Sequence, residues 1–146
     1  VWYGLHSSWS DAMQALFVIR LQSTDISGLS IPPFRAAYMM QYKNNLIGKH
    51  FKALLQTQIF HLHDIATDKQ FTLAKSASAL ASHIWFERIH NMDEYLNDLR
   101  ILIANVLDAF TALGPTRIIT KAKLHVLTHL PDDIPRLGPA VRSATE

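Results

Sequence analysis

An all-α fold, an irregular bundle of about five to seven helices, is predicted by three observations. Apolar residues recur at three-to-four spacing through most of the chain. Helix start and stop residues fall between those runs, at Ser8 and Ser10, Pro33, Asn91 and Gly114-Pro115. No segment alternates like a strand. Only Arg117-Ile118-Ile119-Thr120 is β-branched, and it reads as a short edge strand or an extended link.

The elements follow in order. Ser8 or Ser10 caps a first helix to about Leu21, with Trp9, Met13, Leu16, Phe17 and Arg20 on one face. Residues 22–33, rich in Ser, Gly and Pro, form a loop. A second helix starts near Pro33, since proline suits a first turn, and carries Phe34, Ala37, Tyr38 and Tyr42. After Asn44-Asn45 and Gly48, a third spans about Lys49 to His61, with Phe51, Leu54, Leu55 and Ile59 inward. Thr67 or Asp68 caps a fourth to about Arg88. Its stripe is Phe71, Ala74, Ala77, Ala81, Ile84 and Trp85, and its small residues allow close helix approach. Asn91 with Glu94 caps a fifth, whose face is Tyr95, Leu99, Leu102, Val106 and Phe110, and Gly114-Pro115 stops it. A short helix from Lys121 to Leu130 ends at Pro131, and a further turn holds Asp132 to Leu137.

The chain of 146 residues, 49% apolar and 18% charged, has the size and composition of one globular domain, residues 1–146. Its start at Val1 and end at Glu146 read as an excerpt of a larger protein. With no cysteine, disulfides, thiolate metal sites and cysteine nucleophiles are excluded, and an intracellular setting fits. No run approaches the roughly 18 apolar residues of a membrane span. The net charge of +2 is unevenly placed. Residues 26–63 carry Arg35, Lys43, Lys49 and Lys52 and no acid, whereas residues 64–108 sum to −3. An acid-free stretch of that length suits an anionic partner such as DNA, against the plainer reading of a solvated basic face.

Few residues carry chemistry by pattern. His125 and His129, four apart on a helix, share one face, but Val126 stands where a metalloprotease helix needs glutamate. Hydrogen-bonding histidines that orient a short helix are the plainer reading. His61 and His63 diverge near a helix end and favour its dipole. Asp132-Asp133 fit the first turn of a new helix better than a metal pair. No metal site is assigned. Neither a glycine-rich phosphate loop nor a Gly-x-Ser-x-Gly elbow is present. Trp2, Tyr3, Trp9, Trp85 and Phe86 have rings that stack on bases or fill a core, and Trp85 among alanines reads as core.

From Lys121 the chain reads Lys-x-Lys-x-His-x-x-x-His-Leu-Pro-x-x-Ile-x-Arg-x-Gly-Pro, then Ala144-Thr145-Glu146. With Gly48-Lys49-His50-Phe51-Lys52-Ala53-Leu54 and Asp93-Glu94-Tyr95-Leu96 upstream, it resembles a segment of fungal transposon-derived proteins similar to CACTA and Plavaka transposases. The resemblance covers about the last 100 residues. It implies a nuclear DNA transposition protein with a ribonuclease-H-like core, in which three acids hold two Mg or Mn ions. This chain would be its helical insertion. Glu146 would match the third acid, His125 a histidine of that region, and His129 would support the site beside it. The fragment itself would carry no cofactor and would not cut or join DNA; its partners would be DNA and the rest of the parent chain, with no membrane. A DNA-binding role would use Lys43, Lys49, Lys52, Lys121 and Lys123 on one face. The alternative is a non-catalytic structural or protein-interaction domain, domesticated or decayed.

Overall fold

The computed structural model describes residues 1–115 and 122–140, with the backbone alone at 122 and 123. Among these residues every regular element is helical, as the spacing predicts. The elements are α1 (Trp2–His6), α2 (Asp11–Gln22), α3 (Ala36–Gln41), α4 (Gly48–Thr57) with a 3-10 turn at Gln58–Phe60, α5 (Asp68–Ile84), α6 (Met92–Leu113), α7 (Ala122–Leu127) and α8 (Leu130–Leu137). The Arg117–Thr120 segment lies outside the described residues. The chain divides into two compact units, Val1–Ala74 and Lys75–Glu146, so α5 begins in one and ends in the other.

In the first unit, Ser10 caps α2, its Oγ accepting from the Met13 amide at 3.3 Å. That bond satisfies one of the amides a helix start leaves open. Phe17 and Leu21 point inward. Leu16, which the spacing places on the face of Phe17, is exposed, because α2 carries apolar residues nearly all round and only one side meets the core. Phe17 is at the centre of that core. Its ring lies 5.0 Å from Trp9, 5.6 Å from Trp2 and 6.1 Å from His61. Trp2 belongs to α1, a helix the spacing did not reveal, and its Nε1 donates to the Lys43 carbonyl at 2.8 Å. α3 starts at Ala36, three residues later than the proline suggests, and buries Ala36, Met39 and Met40. Ala37, Tyr38 and Tyr42, which the spacing groups with Phe34, are exposed, whereas Phe34 is buried.

Two polar devices close this unit. Arg20, near the end of α2, donates through Nη1 to the carbonyls of His61, at 3.1 Å, and His63. It thereby holds the turn that includes Asp64 in the left-handed region at φ 62°, a conformation aspartate tolerates better than most side chains. Thr67 and Gln70 form a reciprocal capping box at the start of α5. The Thr67 Oγ1 accepts from the Gln70 amide at 3.3 Å, and the Gln70 Oε1 accepts from the Thr67 amide at 3.0 Å. The buried Gln70 Nε2 also donates to the carbonyls of Gly4, at 3.0 Å, and Leu5, at 3.2 Å, and to Ser8 Oγ. The carbonyls that the end of α1 leaves open are thus satisfied by a side chain.

His6 and His61 make this unit acid-sensitive. Both are buried, and neither ring nitrogen of His6 reaches a hydrogen-bond partner in another residue among the described residues. Burial first, then the neighbouring Lys43 charge, holds His6 below its ordinary pKa of 6.5. Burial first, then Arg20, does the same to His61, whose Nε2 bonds Thr24 Oγ1 at 2.9 Å. Above the ordinary value both states are neutral and stability is full. As pH falls below it the unfolded chain takes up protons that the folded chain refuses, so stability drops until the folded pKa values are reached. The urea midpoint should therefore fall from about pH 8 to about pH 5, and His6→Phe should flatten the fall. An unchanged slope in that variant would remove His6 from the account.

In the second unit, Asn91 caps α6, its Oδ1 accepting from the Glu94 amide at 3.2 Å. Leu99, Ile103, Val106, Ala109 and Phe110 form the buried stripe, while Leu102 is half-buried. Pro131 does not end a helix. It lies in the first turn of α8, where its missing amide costs nothing, and Pro131 and Ile134 are buried where α8 packs on α6. Asp132 and Asp133 stand in the same first turn, on the favourable side of the helix dipole. Gly138 ends α8 at φ 89°, a conformation glycine adopts freely, and its amide donates to the Ile134 carbonyl at 2.8 Å.

Candidate nucleic-acid interface

The acid-free segment of the chain folds into a groove between α3 and α4 that encloses about 300 Å3. Pro32 and Pro33, with φ fixed by their rings, lead the chain in, and Phe34 anchors it in the core. Once Met39 and Met40 turn inward, the helical period carries Arg35, Tyr38 and Tyr42 outward together. The Arg35 guanidinium lies 4.9 Å from the centre of the Tyr38 ring, and the Tyr38 and Tyr42 rings are 4.7 Å apart. Across the groove, the His50 ring of α4 meets Tyr38 edge-on at 6.2 Å. Its Nδ1 accepts from the Ile47 amide at 3.4 Å, which leaves Nε2 as the ring nitrogen that carries the proton.

The charge on this groove runs against local helix preference. The first turn of α4 holds no acid but Lys49 and His50, at the end of the helix where the dipole already favours anions. Lys49 lines the groove with Arg35, and Lys52 follows one turn along on the same side of α4. The Lys49 ammonium on a positive helix end costs local stability and raises the positive potential there. Phosphate oxygens are a chemistry that such a set of donors matches.

The other expected site residues go elsewhere. Lys43 is half-buried; its Nζ donates to Gln14 Oε1 at 2.6 Å, toward α2. Lys121, the Lys123 side chain and Glu146 lie outside the described residues. His125 and His129 are exposed with their Nε2 atoms 3.2 Å apart, so one ring donates to the other. The turn beneath them is tied by Thr128, whose amide and hydroxyl both donate to the His125 carbonyl. His61 and His63 part: the first is buried, and the second faces solvent with its Nδ1 2.8 Å from Asp64 Oδ2. Trp2 and Trp9 are buried in the core, away from any base. Among the described residues no three His, Asp or Glu side chains gather as metal ligands.

A second cleft, of about 420 Å3, lies in the second unit beside His83, Arg88, His90 and Glu94. Its imidazole nearest the core is structurally engaged. His83 stacks on Tyr95 at 4.3 Å, and its Nε2 donates to the Tyr95 carbonyl at 3.0 Å. The Tyr95 hydroxyl, pushed up in pKa by burial, donates back to the His83 carbonyl at 3.4 Å.

Arg35 belongs to the acid-free run but not to the five candidate lysines, and Tyr38 and His50 carry no role in the sequence pattern. The signal for Arg35 and Tyr38 was the Arg-x-x-Tyr spacing beside Pro-Pro, which places cation and ring on one helix face. Among the described residues no helix is long and apolar enough to cross a membrane. No family model matches the chain, and neither a curated protein nor a solved structure matches it at a significant level.

Proposed function

We propose that this chain is a helical accessory region of a transposase-like, DNA-handling nuclear protein, and that it holds DNA phosphates at the α3–α4 groove. The observation that carries the reading is the placement of Arg35, Lys49 and His50 around one groove in a stretch without a single acid. The resemblance of the Lys121–Glu146 motif to CACTA and Plavaka segments supports the wider setting. On this reading the chain offers at most one catalytic carboxylate, Glu146. Any Mg or Mn chemistry belongs to a parent protein that supplies the other acids.

The test is binding and cleavage with the same preparation. Residues 1–146 should bind duplex DNA, and Arg35→Glu with Lys49→Glu should weaken that binding at least tenfold, to a similar extent for every sequence tried. Glutamate at position 49 suits a helix first turn, so the variant should keep its fold. No nuclease or strand-transfer activity should appear with magnesium or manganese; activity from this chain alone would refute the accessory role.

A second reading, a protein-interaction or structural domain, is favoured by one observation. Ala12, Ala15, Leu16 and Ile19 form an exposed apolar stripe along α2. DNA binding unaffected by the two charge reversals would favour it.

A further inference from the structure

We infer that the α3–α4 groove is built for unpaired DNA, with Tyr42 and Tyr38 stacking on bases while Arg35, Lys49 and His50 hold the strand's phosphates. The inference rests on the DNA-binding reading and narrows it to single strands. Phosphate contact alone needs no aromatic side chain, and a duplex hides its base faces. Yet Tyr38, 39% exposed, lines the groove beside Arg35, and Tyr42, 43% exposed and one residue past the end of α3, sets its ring against Tyr38 at the rim. Ala36, Met39 and Met40 already fill the buried side of this helix, so the tyrosines contribute little to the core.

The geometry lets rings and cations act together. The Tyr38 and Tyr42 rings are neighbours at 4.7 Å and tilted by 44°, so they present a stepped pair, not a single flat surface. Arg35 covers one face of Tyr38. An exposed cation–π contact is weaker than a base–aromatic stack, so a base can displace the guanidinium, which then turns to a phosphate. On the other wall, the His50 Nε2–H and the Lys49 ammonium provide donors, and His50 meets Tyr38 only edge-on. Stacking on this pair is tolerant of base identity, because every base has a π face.

The test compares an oligo-dT strand with a duplex of equal length, using the whole chain. The wild type should bind the single strand about tenfold more tightly. Tyr42→Leu should abolish that preference while leaving duplex affinity unchanged, and Tyr42→Phe should retain it. The phenylalanine variant separates stacking from any loss of fold. Equal affinity for both DNAs, or a preference that survives Tyr42→Leu with Tyr38→Leu, would overturn the inference while leaving phosphate binding intact. Failure of the wild type to bind either DNA would overturn both.

Discussion

Replacing Phe17 with alanine should cost the Val1–Ala74 unit about 3–5 kcal/mol, the range for a buried phenylalanine. Phe17 is 1% exposed, and its ring touches three aromatic neighbours contributed by α1, the link after it, and the turn after the 3-10 helix. Tilted and edge contacts of this kind add to simple area burial. Truncation leaves a cavity whose lining cannot close easily, because Trp2 is tied to the Lys43 carbonyl and His61 to Thr24. A domain's total stability is about 5–15 kcal/mol, so this one change removes a large share of it. Urea denaturation reads the loss; a change below about 1 kcal/mol would mean that Phe17 is not the centre of packing.

Gln70→Leu should cost about 2–4 kcal/mol, although it keeps the side chain's volume nearly constant. The change removes the donors for the Gly4 and Leu5 carbonyls and half of the Thr67 capping box. Two carbonyls are then left in a buried site with no partner, at about 1–3 kcal/mol each. Because Gln70 links α1 to α5, amide exchange at the end of α1 should accelerate together with the fall in the urea midpoint. A neutral outcome would show that these carbonyls find other partners.

Boundaries written in local chemistry were legible in the sequence. Ser10 and Asn91 cap where their side chains predict, and Gly114 follows α6. The α6 face was legible because charged residues separate its apolar positions; only Leu102 yields its place to Ile103. The face of α3 was not. From Phe34 to Met40 every residue but Arg35 is apolar or tyrosine, so the period alone cannot choose which side is buried. Packing chose the methionines, and that choice placed Tyr38 in the groove with Tyr42 beside it. α1 has five residues, too few to show a period. Pro131 signals both a stop and a first turn, and nothing in the residues around it decides between them. Gln70 acts across more than sixty positions of chain, a partnership that leaves no local trace. Half of the candidate site was visible as an acid-free run; the ring pair that completes it became visible only once α3 had an orientation.

If the α3–α4 groove holds phosphates, the salt dependence of DNA binding will report it. Each neutralised phosphate contributes about −0.9 to the slope of log affinity against log salt on a duplex. The Arg35→Glu, Lys49→Glu variant should show weaker binding and a slope shallower by about 2, as two contacts are lost. A variant with the slope and affinity of the wild type would mean that the charge that binds DNA lies elsewhere and that the groove holds no phosphate.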